Sequence, residues 1–250
     1  MAAGPDSSLR MKTSQTTSLL LTLLSAGALP AETLQDRLDA RKADFEKKAS
    51  AEKIAGYEAG IAAVRKSGML ENALKAGDLA PDFTLQNATG EKVTLSAELK
   101  KGPVILTWYR GSWCPYCNLA LIAYQENNAK FKAAGAQLLA LTPEKPDKSL
   151  PTAEKHALDF EILTDLNNEV AEKYRIVFQM TPFVEEAMRN FANLKSYNGE
   201  DYDDEDMPLS ATYIITPDRK IAWAFLDAEY RNRATPEQIL SELKKLNSKD

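Results

Sequence analysis

Two cysteines and one histidine are all the thiol and imidazole groups in these 250 residues. A structural zinc site takes about four ligands. Cys114, Cys117 and the distant His156 fall short of that, so no metal is expected. His156 stands alone in a polar stretch and reads as a surface residue without a role. No run reaches the ~18 apolar residues of a membrane span. Positive charge is not in excess either: the net charge is −5, which argues against nucleic acid as a partner. There are no internal repeats and no glycine-rich phosphate loop. The acidic run from Glu200 to Asp206 lacks the glycine and the spacing of an EF-hand and reads as a solvated loop.

What is present is ordinary for a globular chain, with 44% apolar and 27% charged residues. The length suits one domain with extensions. Residues 1–31 read as a leader. Leu19 to Ala28 is a short apolar run preceded by Arg10 and Lys12, and Ala26-Gly27-Ala28 offers small residues for cleavage. The basic region is thin, which leaves a disordered or amphipathic leader as the competing reading. With export, the mature chain starts near Leu29 and is periplasmic or otherwise extracytoplasmic; without it, the protein is cytoplasmic.

Residues 32–75 read as a helical N-terminal extension. Leu34, Leu38, Phe45, Ile54, Tyr57, Ile61, Val64, Leu70 and Leu74 recur at three- and four-residue spacing. A break is expected near Ala49-Ser50, and Gly56, Gly60 and Gly68 weaken the helix locally. Such an arm either docks or dimerises, giving a homodimer, or packs on its own domain. The second reading is the simpler one.

The informative segment is Trp113-Cys114-Pro115-Tyr116-Cys117. Before it, Val104 to Tyr109 is β-branched and aromatic and reads as a buried strand. After it, Asn118 to Tyr124 opens a helix, and Pro115 suits a first turn. Strand, short loop, C-x-x-C and helix form the thioredoxin-like redox arrangement. A thiol at a helix N-terminus feels the positive end of the dipole, which favours the reactive thiolate.

Further strands are expected at Asp82 to Leu85, Lys92 to Leu95, Gln137 to Leu141 and Phe160 to Leu163. Thr212 to Thr216 and Ile221 to Phe225 read as a hairpin. Helices are expected at about Cys117 to Ala134, Thr152 to Ala157 and Asn168 to Tyr174, and from Pro236 with Thr235 as N-cap. The fold class is therefore α/β, a mixed central sheet flanked by helices, with an N-terminal helical extension. Residues 178–207 fit this pattern least well.

Three blocks resemble the AhpC/TSA peroxiredoxin family, and within it the branch with a thioredoxin-style C-x-x-C. They are Gly77-Asp78-Leu79-Ala80-Pro81-Asp82-Phe83, then Trp108 to Cys117, then Thr212-Tyr213-Ile214-Ile215 with the strand after it. The resemblance implies a thioredoxin fold over residues 76–250, reduction of hydroperoxides, recycling by a thioredoxin-like reductant, and neither a metal nor an organic cofactor. It also shows departures. The family's Pro-x-x-x-Thr-x-x-Cys, laid on this chain without gaps, puts the peroxidatic cysteine on Cys117, the threonine on Cys114 and the proline on Arg110. The family's activating arginine falls on Ser210. Arg110 is the first candidate to replace it, with Arg231 and Arg233 as weaker ones. Cys-Pro-Tyr-Cys is also the glutaredoxin dithiol sequence, and by that analogy Cys114 attacks and Cys117 resolves.

The leading function is thus a thiol peroxidase working through a sulfenic acid and a Cys114–Cys117 disulfide. The alternative is a thiol-disulfide oxidoreductase without significant peroxidase activity. A weak redox sensor docking through its arm is a third reading.

Overall fold

The computed structural model of the protein describes residues 32–248, together with Met1 and Gly4. The expected leader segment, Leu19 to Ala28, lies outside the described residues. Helix α1 (Leu34–Lys48) starts at Thr33, whose hydroxyl accepts from the Asp36 amide while the Asp36 carboxylate accepts from the Thr33 amide. The break falls at Ala49 and Ser50, and Ser50 caps α2 (Ala51–Lys66). Short α3 (Met69–Asn72) follows.

The hairpin strands β1 (Thr84–Asn87) and β2 (Lys92–Thr94) come next, then one turn of helix, α4 (Leu95–Glu98). The buried strand β3 (Val104–Trp108) leads through the C-x-x-C loop into α5 (Pro115–Ala133). That helix ends as Gly135 predicts: the Gly135 and Ala136 amides donate back to the carbonyls of Lys132 and Phe131. Then come β4 (Gln137–Thr142), α6 (Pro146–Lys155), β5 (Glu161–Thr164) and α7 (Glu169–Lys173). Helix α6 begins six residues earlier than expected: Pro146 sits in its first turn, and Pro151 is tolerated inside it.

Residues 178–207 hold structure that the sequence pattern does not suggest. Strands β6 (Val177–Gln179) and β7 (Asp206–Pro208) pair with each other, and α8 (Pro182–Phe191) and α9 (Leu194–Asn198) lie between them. The acidic residues form a turn closing onto β7. The hairpin β8 (Thr212–Ile215) and β9 (Ile221–Phe225) precedes α10 (Pro236–Asn247), which Thr235 caps.

The main sheet has seven strands in the order β2-β1-β5-β4-β3-β8-β9. Strands β3, β4 and β5 run parallel, and the hairpins join at both edges antiparallel. Both faces are covered, so β3 is buried along its whole length. Val104, Leu106 and Trp108 point into one core, and Ile105 points into the other with α5 and α10. The arm packs on its own domain: Leu34 and Leu38 of α1 join the α5 side, and Ile61 and Val64 of α2 join the opposite side. No helix among the described residues is long and apolar enough to cross a membrane.

Candidate active site

Strand β3 ends in the interior of the sheet, between β4 and β8, and the chain turns there through Gly111 and Ser112 into α5. Cys114 is the N-cap of α5, Pro115 its first residue and Cys117 its third. The Cys114 amide donates to the Gly111 carbonyl at 3.0 Å, and Asn118 Nδ2 donates to the Ser112 carbonyl at 2.8 Å, so the loop is tied at both ends. Both thiols are free and have no solvent exposure.

Two guanidinium groups face the pair. Arg110 Nη2 donates to Cys114 Sγ at 3.3 Å. Its guanidinium lies over the rings of Trp113 and Tyr230, 5.5 and 4.7 Å from their centroids. Arg233 Nη2 donates to Cys117 Sγ at 3.1 Å and lies 4.0 Å from Cys114 Sγ. Arg233 is itself held by two carbonyls, those of Tyr230 and Asn232, at 2.5 and 2.6 Å from Nη1.

These contacts split the two thiols. Burial raises both. For Cys117 it is outweighed by the hydrogen bond from Cys114, then by the charges of Arg233 and Arg110, and the thiol is held well below its ordinary value. Cys114 is pushed well above its ordinary value by burial, then by its hydrogen bond to Cys117 and by that group's negative charge. Cys117 also lies in the first turn of α5, where the dipole adds to the effect.

Glu144, just past the end of β4, is fully buried beneath the loop. Its Oε1 accepts from the Ser112 amide at 2.8 Å and the Ser112 hydroxyl at 2.7 Å, and its Oε2 accepts from the Tyr109 hydroxyl at 3.4 Å. Burial raises it to about 7, against the lowering effect of its Ser112 and Tyr109 hydrogen bonds, with Cys117 raising it further. No motif or spacing in the chain marks Glu144 as part of the site.

Of the three candidate arginines, Arg110 and Arg233 reach the thiols and Arg231 does not. Arg231 is buried, and it pairs with Glu229 at 2.6 Å and with Glu58 of α2. Ser210, at the position of the family's arginine, is buried, and its hydroxyl has no partner among the described residues. Positive charge thus comes from Arg110 beside the thiols and from Arg233 after the hairpin, not from position 210. Only the tertiary fold reveals which of the two arginines in the Arg231-Asn232-Arg233 run turns inward. His156 ends α6, and its side chain makes no hydrogen bond or ion pair among the described residues. Nor do three or more His, Cys, Asp or Glu side chains come together there as metal ligands.

Beside the dithiol, on the far side of Arg110, lies a largely apolar cavity of about 230 Å³ between α2 and α8. Arg110 is the cavity-lining residue that is also hydrogen-bonded to a thiol.

Known proteins share this architecture. A peroxidoxin BcpB from Mycobacterium tuberculosis superposes with a TM-score of 0.55 at 21% identity, over 69% of this chain and 98% of that one. Peroxiredoxin Bcp of Escherichia coli is 29% identical over 161 residues, which cover 64% of this chain and 91% of that protein. A chloroplastic peroxiredoxin Q from Gentiana triflora is 29% identical over 100 residues, 40% of this chain and 46% of that one. The model of the AhpC/TSA family matches residues 76–224. That segment takes in both cysteines and all of the central sheet but the last residue of β9, more than half of the protein, and the chain belongs to the AhpC/TSA family.

Proposed function

We infer that the protein is a thiol peroxidase in which Cys117 is the nucleophile and Cys114 the resolving thiol. The observation that carries this assignment is the asymmetry of the pair: Cys117, with Arg233 at 3.1 Å, is the sulfur that favours the thiolate. Family membership supports peroxide reduction over thiol-disulfide exchange alone.

The Cys117 thiolate attacks the terminal peroxide oxygen. A sulfur–oxygen bond forms, the oxygen–oxygen bond breaks, and the leaving alkoxide or hydroxide takes up one proton. Arg233 and Arg110 supply positive charge where negative charge shifts from sulfur to the leaving oxygen. Cys117 is then a sulfenic acid, the reversible rung of thiol oxidation. The Cys114 thiol condenses with it, forming the disulfide and releasing water. A reduced thioredoxin-like dithiol restores both thiols by exchange and is itself oxidised. If residues 1–31 are a cleaved export signal, that reductant is extracytoplasmic.

The test is sulfenic acid trapping in the two single-cysteine variants after stoichiometric peroxide, together with peroxide-dependent oxidation of thioredoxin. Cys114→Ser keeps single-turnover sulfenic acid formation and loses turnover. Cys117→Ser loses peroxide reactivity. The reverse pattern reassigns the nucleophile. Disulfide reduction without any peroxide turnover replaces the peroxidase with an oxidoreductase.

A further inference from the structure

The family match begins at residue 76, so the arm lies outside it. Nothing in the reaction above uses the arm, yet a run of aromatic contacts leads from it to the two guanidinium groups on the dithiol. Tyr230, in the segment between β9 and α10, is where that run meets them.

We propose that Tyr230 is a positioning residue for both cations, and that the arm holds Tyr230 in place through Tyr57. The proposal rests on the reading of Cys117 as the nucleophile.

Three observations carry it. The first is that Tyr230 touches both arginines. Its ring lies under the Arg110 guanidinium, 4.7 Å from the centroid, and its carbonyl accepts from Arg233 Nη1 at 2.5 Å. Arg110 in turn donates to Cys114 Sγ at 3.3 Å, and Arg233 to Cys117 Sγ at 3.1 Å. Stacking on an aromatic face fixes the plane of a guanidinium and leaves its in-plane N–H groups free to aim past the ring. One residue thus sets where both charges sit.

The second is that the same ring packs on the dithiol motif itself. Tyr116, between the two cysteines, meets Tyr230 edge to face with centroids 5.8 Å apart. The ring is thereby keyed to the helix that carries Cys117, so cations and thiols share one point of reference.

The third is support from the arm. Tyr57 of α2 lies against Tyr230, with 5.9 Å between centroids. It is fixed edge-on by Phe45 of α1 at 5.7 Å and by Phe183 of α8 at 6.3 Å. Aromatic pairs of this geometry stabilise beyond the area they bury. Phe183 reaches the cluster because residue 56, next to Tyr57, is glycine: a Cβ there would overlap the Phe183 ring. The glycine that weakens α2 as an isolated helix therefore lets α8 brace the tyrosine behind Tyr230.

These contacts use the ring and the carbonyl of Tyr230, not its hydroxyl. The test reads the pH at which Cys117 ionises from the ultraviolet absorbance of its thiolate, in the full chain carrying Cys114→Ser, where Cys117 is the sole thiol. Tyr230→Leu keeps an apolar side chain but removes the aromatic face. It should raise that pH by about half a unit, less than loss of a cation outright. Tyr230→Phe keeps the face and should restore the native midpoint. Tyr57→Leu should shift it in the same direction by a smaller amount. Arg231→Ala removes a guanidinium from the same segment that reaches neither sulfur, and so controls for a chain that is merely loosened. An unmoved midpoint in Tyr230→Leu, or an equal shift in Arg231→Ala, overturns the role of Tyr230. A shift in Tyr230→Leu with none in Tyr57→Leu overturns the part given to the arm. The titration uses no peroxide, so a failure of the peroxidase reading, seen as absent sulfenic acid, is told apart from a failure here.

Discussion

Arg233 reaches Cys117 across 116 residues of sequence, with 3.1 Å between Nη2 and the sulfur. The next residue, Ala234, is pinned by its carbonyl, which accepts from the Tyr124 hydroxyl of α5 at 2.9 Å. The helix that carries the thiol thus also anchors the loop that carries its cation. This pairing separates the roles of the three arginines around the site.

Arg233→Ala and Arg110→Ala should both raise the pH at which Cys117 becomes a thiolate, Arg233→Ala by more, since Arg233 bonds the Cys117 sulfur and Arg110 bonds Cys114. Loss of an adjacent opposite charge typically moves a group by roughly one unit or more. The pH dependence of alkylation in a Cys114→Ser background measures this. Equal shifts, or none, would show that Arg233 does not set the ionisation of Cys117.

Arg231→Ala should leave that alkylation profile unchanged but destabilise the fold. Arg231 is 2% exposed, and its loss leaves the half-buried carboxylate of Glu229 without this partner. Breaking a fully buried pair from one side costs about 3 kcal/mol, and the partial exposure of Glu229 makes the loss here smaller than that. Urea unfolding should show the midpoint fall, and an unaltered midpoint would mean that Glu229 finds another partner.

Glu144 predicts a pH dependence of stability. Its carboxyl is raised from 4.5 to about 7 in the fold. Between those values the native state binds more protons than the unfolded one, so stability falls as pH rises. A shift of this size corresponds to roughly 3 kcal/mol. Glu144→Gln should remove the decline, so that its stability relative to the native protein improves from pH 5 to pH 8. Parallel pH–stability curves for the two proteins would show that Glu144 does not titrate in this range.

Removal of residues 1–31 should leave the thiol chemistry intact, because the capped helix α1 begins only at Leu34, after Thr33. If the leader is an export signal, N-terminal sequencing of natively produced protein should begin near Leu29 to Glu32. An intact Met1 or Met11 rules out cleavage.

The parts of the fold that were legible in the sequence are those decided locally. Val104 to Trp108 is β-branched and apolar because both faces of β3 are covered. Thr235, Pro236 and Gln238 signal their helix start by hydrogen bonds within four residues. Cys114 and Cys117 announce themselves by spacing, and Arg110 lies next to them in the chain. The parts that were not legible depend on distant partners. Strands β6 and β7 are three residues each and pair Val177 with Pro208, too short for a visible alternation. Gly56 and Gly60 look like flaws in α2 until Phe183 and Val184 are placed against them. Glu144 carries no local mark of its task, and nothing local separates Arg233, a candidate from its place after the last strand, from Arg231. Each becomes part of the site only when the ends of β4 and β9 are brought to the start of α5.

The same long reach has a consequence for biosynthesis. A ribosome releases the Cys-Pro-Tyr-Cys loop well before the segment that sharpens Cys117, since 116 residues lie between them. Until the loop before α10 docks against Tyr124, the nascent chain carries two thiols without Arg233 beside them. The full set of contacts that favours the Cys117 thiolate is therefore complete only once the segment after β9 has been made and docked.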